Sequence, residues 1–185
     1  MNMYTLFIKE MTGLCLAMDI QMHHLGRADR IPQGLHLAVL EGIEATAHCK
    51  SGVFNMALDY GGRDEMVRAT SRALRSGVSI EDLDESVLAQ YTDTAGQPYP
   101  DPDIVVRTSG EHRLSGFMAW QSTYSELFYI DECYPALTWE LMRDTIISRF
   151  HGRDRRFGGD HKKKIQPSSP NPVIQLHAHG DLLEQ

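Results

Sequence analysis

The chain has 185 residues, of which 42% are hydrophobic and 23% charged, and its formal net charge is −7. This length and composition fit a single globular domain with its own core, and the acidic balance argues against nucleic-acid binding through a broad basic surface. Positive charge is concentrated in 149–164, where seven basic residues stand against two aspartates. An anionic ligand would explain that segment, and so would a solvated helix end and tail.

The cysteines and the first residues of the chain indicate the cellular compartment in which we expect the protein. Cys15, Cys49 and Cys133 are far apart and form no C-x-x-C pair. This spacing argues against a disulfide framework or a structural zinc site, and it is typical of a reducing compartment. The first residues show no basic region followed by a long apolar run. We therefore expect a cytoplasmic protein with neither a signal peptide nor a transmembrane helix.

Hydrophobic periodicity predicts helices and strands that alternate along the chain. The predicted helices are 4–18, 33–48, a segment after Gly61-Gly62, a short helix opened by a capping box at Ser79 and Asp82, and one capped by Thr138. The predicted strands are 19–25, 53–58, 103–107 and 126–130. Residues 91–102, with three prolines and a glycine, are predicted to be a loop. This order predicts an α/β fold with a mostly parallel sheet and flanking helices, in which ligands bind at the carboxyl ends of strands.

Two arginines and a serine follow the third predicted strand. Arg107 ends that strand, and Arg113 and Ser115 come six and eight residues later, around the glycine turn at Gly110. A diphosphate needs planar bidentate donors with hydroxyl or backbone donors beside them, and these residue types supply both. Glu126 is a hard oxygen ligand that could share Mg²⁺ with the diphosphate. A surface ion pair for Arg107 and a structural role for Glu126 are the alternatives.

The order of three motifs carries a family resemblance. The segments "ALDYGGRDEM" (57–66), "RTSGEHRLSGFMAWQSTYSELFY" (107–129) and "RDRRFGG" (153–159) occur in the order, and with gaps comparable to those, of the cis-prenyltransferases, the undecaprenyl diphosphate synthase family. The chain resembles that family over essentially all of 1–159. The resemblance implies a cis-prenyltransferase-like fold and a transferase that joins isopentenyl diphosphate to an allylic diphosphate with a new cis double bond. It also implies Mg²⁺ as cofactor and a dimer, either a homodimer or a heterodimer.

The same resemblance implies roles for individual residues. Arg107, Arg113 and Ser115 would bind the diphosphate of isopentenyl diphosphate, and Glu126 would help to hold Mg²⁺. The "RFG" motif would reach the active site of a partner subunit through Arg156 and Gly158. The apolar helices 4–18 and 33–48 would wall a tunnel for the growing prenyl chain, although packing of the core explains their apolar stripes equally well.

The sequence also departs from the family pattern. The Asp-Gly-Asn strand end that binds the allylic diphosphate is not present, nor is the Ser-x-Glu-Asn-Trp segment, because the tryptophans are Trp120 and Trp139. Met1 aligns with the third helix of the family, so we expect a fold that lacks the first strand-helix units and the aspartate that would pair with Glu126. No catalytic residue is assigned for that reason. Gly116 and Asp59 each replace a usual asparagine.

Three hypotheses follow from this combination. The chain is a shortened product of a gene for an ordinary cis-prenyltransferase, a natural short member that is completed by a partner or adapted to smaller prenyl substrates, or a non-catalytic protein that binds diphosphate. The segment 160–185 is predicted to be a disordered polar tail that follows a domain at 1–159. Its lysines 162–164 allow at most peripheral contact with an anionic membrane.

Overall fold

The computed structural model of the protein describes residues 3–151, in which helices and strands alternate as predicted. The helices are α1 (Met3–Ala17), α2 (Gln33–Thr46), α3 (Gly62–Arg75), α4 (Glu85–Ala89), a 3₁₀ turn (Tyr134–Ala136), α5 (Trp139–Leu141), a π-helix (Met142–Ile147) and α6 (Ser148–His151). The strands are β1 (Ile20–Leu25), β2 (Gly52–Ala57), β3 (Ile104–Arg107) and β4 (Glu126–Tyr129). Arg156, Gly158 and the predicted tail at 160–185 lie outside the described residues.

The strands pair in parallel, but they form two sheets. Strand β1 pairs with β2 in a register that sets Ile20 opposite Gly52, and β3 pairs with β4 with Ile104 opposite Glu126. The parallel α/β architecture is therefore confirmed. The predicted continuous sheet is divided, because no strand within 3–151 is hydrogen-bonded to both pairs.

The core lies on one face of the β1–β2 sheet. Helices α1 and α2 pack against each other and cover strand β1. The buried apolar side chains of this core are Ile8, Cys15, Met22, Leu35, Ala38, Val39 and Met56. Removal of the larger side chains of this cluster from water, such as Met22 and Val39, contributes on the order of 1.5–3 kcal/mol each, so the cluster holds the helices to the sheet.

A glycine closes the turn at the end of β1. Gly26 has φ of +115°, and a Cβ at this position would lie 2.3 Å from the carbonyl oxygen of Leu58. Its N–H donates to the Asp93 carboxylate at 2.9 Å. The turn therefore requires glycine, and it ties the carboxyl end of β1 to the segment that was predicted as a loop.

The helix predicted from Ser79 begins later than expected. Ser79 Oγ accepts from the Asp82 N–H at 3.2 Å, which is one of the two contacts of a capping box, and donates to an Asp82 carboxylate oxygen at 2.7 Å. The helix nevertheless starts at Glu85, because Asp84 caps it by accepting from the Val87 N–H at 2.8 Å. The box at 79–82 thus stabilises an isolated turn. Within 3–151, no helix combines the length and the apolar character needed to cross a membrane.

Candidate functional site

Strand β3 places Arg107 at the carboxyl end of the second sheet. Arg107 is the last residue of β3, lies opposite Tyr129 and is partly buried. Its guanidinium forms no hydrogen bond or ion pair with another residue in the described part of the chain. A guanidinium carries five donors in a planar fork, so this group is available to an anion.

The turn that follows β3 has two consecutive left-handed residues, Ser109 (φ +69°) and Gly110 (φ +66°). Their N–H groups donate to the carbonyl oxygens of Glu132 at 2.8 Å and Ile130 at 3.0 Å. The sequence favoured Gly110 as a place where backbone N–H groups approach a diphosphate. That expectation is wrong for the Gly110 N–H, because it holds the turn to the end of β4.

Arg113 and Ser115 lie in the exposed segment beyond this turn. Arg113 forms an ion pair with Glu111, and their side chains are 67% and 38% exposed. Such an exposed pair is weak, about 0–1 kcal/mol, so a diphosphate can replace Glu111. Ser115 has φ of +50°, and its exposed hydroxyl forms no hydrogen bond with any other residue in 3–151. The two residues therefore leave a guanidinium and a hydroxyl accessible in the segment that follows β3.

The loop that carries Ser115 is attached to the amino end of α3. The Gly62 N–H donates to the Gly116 carbonyl oxygen at 2.8 Å. A Cβ on Gly62 would lie 2.7 Å from the same oxygen, so the approach requires glycine. Tyr60 and Phe117 add an edge-to-face ring contact with centroids 5.7 Å apart. Sequence reasoning took Gly61-Gly62 as the boundary between a strand and a helix and as part of a family motif, and it did not predict this contact.

A chain of ion pairs links the turn after β1 to α3 and to the segment after α4. It runs through six alternating charges: Asp29, Arg27, Asp64, Arg68, Asp93 and Arg72. Burial favours the neutral form of Asp93, but hydrogen bonds from Arg68 and from the Gly26 N–H outweigh it and hold the pKa of that carboxyl below its ordinary value. The pKa of Asp64 is lowered mainly by its hydrogen bond from Arg68. The periodicity of the sequence did not predict this network, because its members are far apart in the chain.

Glu126 lies away from Arg107. It is the first residue of β4 and opposes Ile104, whereas Arg107 opposes Tyr129 at the other end of the pairing. Three residues of strand separate these levels by roughly 10 Å, and alternation of side chains directs the two residues to opposite faces of the sheet. Within one chain, the structure does not bring the predicted metal ligand to the predicted diphosphate site.

The described residues therefore do not fit a complete Mg²⁺ site at Arg107. No group of three or more His, Cys, Asp or Glu side chains in 3–151 is placed to hold a metal ion. The carboxylate of Asp131 lies near the turn, 3.5 Å from the position of a Cβ on Gly110, and belongs to no group of three such side chains in the described part of the chain. The assignment of Glu126 to Mg²⁺ stays a prediction.

An apolar cavity lies beside the carboxyl end of β2. Its volume is about 530 Å³. Its walls come from the start of α1, from α2 and from β2: Met3, Tyr4, Phe7, Ile8, Leu35, Phe54, Met56, Ala57 and Leu58. Leu58 leads through Tyr60 to Gly62, which contacts the Ser115 loop. The helices predicted to wall a tunnel thus do line a cavity.

Comparison with known proteins connects these features. Residues 1–158 match the family model described as "Putative undecaprenyl diphosphate synthase". The chain is 37% identical over 145 residues to an isoprenyl transferase of Bacillus thuringiensis subsp. konkukian, which covers 76% of this chain and 55% of the relative. It is 36% identical over 151 residues to a ditrans,polycis-undecaprenyl-diphosphate synthase, (2E,6E)-farnesyl-diphosphate specific, of Lactiplantibacillus plantarum, covering 78% of this chain and 58% of the relative. The chain thus spans little more than half the length of these curated relatives.

Two solved structures have a similar fold. A probable undecaprenyl diphosphate synthase from Campylobacter jejuni superposes with a TM-score of 0.72 at 28% identity, covering 82% of this chain and 69% of the other. Lavandulyl diphosphate synthase from Lavandula x intermedia, in complex with dimethylallyl diphosphate, gives a TM-score of 0.77 at 27% identity, with 84% and 68% coverage. The second of these structures is of a complex with a diphosphate ester, dimethylallyl diphosphate.

Proposed function

Because the chain belongs to the undecaprenyl diphosphate synthase family of prenyltransferases, we propose that Arg107, Arg113 and Ser115 bind the diphosphate of isopentenyl diphosphate in an isoprenyl transferase reaction. The observation that carries the proposal is the partly buried Arg107 guanidinium, which no other described residue neutralises. A guanidinium that no described residue pairs is available to form bidentate, charge-assisted hydrogen bonds with a diphosphate. The weak Glu111 pair of Arg113 and the free Ser115 hydroxyl support the same role.

The apolar cavity is proposed to hold the prenyl chain. Ligand pockets of about 300–1,000 Å³ with mostly apolar walls are typical of small-molecule sites, and this cavity falls in that range. Its aromatic and aliphatic lining suits a hydrocarbon. The cavity follows β2, and the diphosphate site follows β3, so the proposed head and tail sites both lie after the carboxyl ends of parallel strands.

In the proposed reaction, the isopentenyl double bond attacks the allylic carbon, the bond from that carbon to oxygen breaks so that diphosphate leaves, and a proton is then lost from the isopentenyl unit to form the new double bond. The contribution of the described residues is to hold isopentenyl diphosphate and to fix its orientation. Positioning of this kind can supply a large part of a rate enhancement. The proposal also includes an allylic diphosphate site, a dimeric state and a role for Arg156 and Gly158 in a partner's site. Arg156 and Gly158 lie outside residues 3–151.

A second candidate is a subunit that binds isopentenyl diphosphate and makes product only with a partner chain. The separation of Glu126 from Arg107 favours it, because residues 3–151 do not place the proposed metal ligand beside the proposed diphosphate site. A non-catalytic diphosphate-binding protein is the remaining alternative. Turnover distinguishes these candidates, whereas binding is common to all three.

Calorimetric titration with isopentenyl diphosphate tests the diphosphate site. Arg107→Ala and Arg113→Ala should each weaken binding by about 10- to 100-fold, because a charge-assisted hydrogen bond contributes on the order of 1.5–3 kcal/mol. Arg75→Ala, at the exposed end of α3, is the matched control and should bind like the wild type. Unchanged affinity in both test variants would refute the site. Turnover of labelled isopentenyl diphosphate with allylic primers, with and without a partner chain, then separates enzyme, subunit and binding protein.

A further inference from the structure

Glu65 is a buried carboxylate that receives hydrogen bonds from three separate segments. It is fully buried in the first turn of α3. Its oxygens accept from the Tyr60 hydroxyl, from the Asp93 N–H at 2.7 Å and from Gln121 Nε2 at 2.9 Å. A buried carboxylate is costly without such partners, so these three bonds are needed where Glu65 lies. They join the end of β2, the segment after α4 and the segment that follows Ser115.

Gln121 is positioned for this one carboxylate. The residue is 4% exposed, and Nε2 makes its close contact with Glu65, while a longer contact reaches Thr94 Oγ1 at 3.4 Å. Among the described residues, Gln121 Oε1 is buried without a hydrogen-bond partner. An amide that leaves its own oxygen unpaired is costly in a core. The contact that offsets this cost is the donation to Glu65.

The segment before Gln121 has a backbone that needs such support. Ser115, Gly116 and Met118 all have positive φ, at +50°, +79° and +44°. Left-handed conformations of non-glycine residues cost roughly 1–3 kcal/mol each and persist only where the surroundings hold them. The Ser122 N–H donates to the Met118 carbonyl oxygen at 2.8 Å, which connects the left-handed stretch directly to the Gln121 anchor.

We infer that Glu65 is a positioning residue that, through Gln121, fixes the loop 115–118 against the amino end of α3 and so holds Ser115 in place for the diphosphate. The contact on the other side of the loop is the Gly62 N–H to the Gly116 carbonyl oxygen. Glu65 therefore does not contact the ligand itself but acts on it through Gln121 and the loop. The identity of the ligand rests on the proposed function, whereas the positioning of the loop does not.

Hydrogen exchange of the ligand-free full-length chain tests the positioning directly. Gln121→Ala should speed exchange of the Gly62 amide about tenfold and loosen 115–122, because the loop loses its anchor. Gln97→Ala is the matched control, since Gln97 forms an equally close amide pair with Asn55 at 2.7 and 2.8 Å that does not touch the loop. Equal exchange in Gln121→Ala and wild type, or the same loosening of 115–122 in Gln97→Ala, overturns the inference.

A conservative variant separates positioning from bulk stability. In Glu65→Gln, the amide oxygen can accept from Asp93 and Gln121 while the amide nitrogen donates to the Tyr60 oxygen, so exchange of 115–122 should stay close to wild type. Glu65→Ala, which removes the acceptor of Gln121, should loosen that segment, and exchange of 115–122 at the wild-type rate in folded Glu65→Ala would overturn the inference.

Affinity for inorganic pyrophosphate completes the test. Gln121→Ala should bind about tenfold more weakly, and Glu65→Gln and Gln97→Ala within about threefold of wild type. A wild-type chain that fails to bind pyrophosphate would refute the proposed function, while the exchange data would still decide the role of Glu65.

Discussion

The β1–β2 half and the β3–β4 half of the protein are stabilised in different ways. In the first half, two long helices cover one face of the sheet, and Met22 and Val39 are almost fully buried. In the second half, the strands have four residues each, no residue of β3 is buried, and the connecting loop has five residues with positive φ. Apolar packing therefore stabilises the first half, whereas polar contacts between distant segments stabilise the second half. The proposed diphosphate site lies in the half with less apolar packing.

Truncation of Met22 should give the largest effect on stability. Its side chain is fully buried between the sheet and the helices, so Met22→Ala should lower the free energy of unfolding by about 2–5 kcal/mol. Denaturant unfolding measures this loss. If the two halves are as distinct as the packing indicates, folded Met22→Ala should bind isopentenyl diphosphate like the wild type. A parallel loss of affinity would show instead that the core also shapes the site.

Asp93 tests the charged connection between the halves. Its side chain is 7% exposed and accepts from Arg68 and Arg72, so Asp93→Asn should cost about 3 kcal/mol by leaving these cations incompletely paired. The folded-state pKa of Asp93 is lowered. Its ionised form therefore contributes stability above the ordinary aspartate pKa of about 3.9, and this contribution is lost as the pH falls through the lower folded-state pKa.

The lowered pKa of Asp93 determines how the stability of the protein should depend on pH. Between pH 5 and 3, thermal or denaturant unfolding should show a steeper loss of stability for the wild type than for Asp93→Asn. The exposed pair of Arg143 and Asp144 supplies the control, because Asp144→Asn should leave the slope close to wild type in spite of the lowered pKa of Asp144. Identical slopes for wild type and Asp93→Asn would contradict the assigned role.

Gly62 should separate binding from stability in the second half. A Cβ at this position would meet the Gly116 carbonyl oxygen at 2.7 Å and the Ala119 nitrogen at 3.1 Å, so Gly62→Ala must displace the loop. We expect about tenfold weaker binding of isopentenyl diphosphate by calorimetry, with a loss of roughly 1–3 kcal/mol in stability. Gly61→Ala is the control, since nothing lies within 4 Å of a Cβ there. Full affinity in Gly62→Ala would show that the loop can move without consequence for the site.

The same contrast explains which features the sequence revealed. Helices α1, α2 and α3 and all four strands were predicted, because the apolar side chains of each element recur at the period of that element. The division into two sheets, the anchoring of Gly116 by Gly62 and the burial of Glu65 were not predicted, since each depends on residues far apart in the chain. The motif around Arg107 pointed to the candidate site, whose binding role stays a prediction, and periodicity could not show that Glu126 lies at the opposite end of the strand pair.

The smallest effect is expected at Ser115, where the hydroxyl and the backbone can be tested separately. Ser115→Ala and Ser115→Gly both remove the hydroxyl, and glycine also relieves the left-handed backbone at φ +50°. Each should weaken binding of isopentenyl diphosphate by about fivefold, roughly 1 kcal/mol, and Ser115→Gly should be the more stable of the two by a few tenths of a kcal/mol. Ser109→Gly, which relieves φ of +69° one turn earlier, should keep wild-type affinity. If Ser115→Gly binds as well as the wild type while Ser115→Ala does not, the backbone conformation rather than the hydroxyl determines binding. Ser115 would then contribute only as part of the loop that Gly62 and Gln121 hold in place.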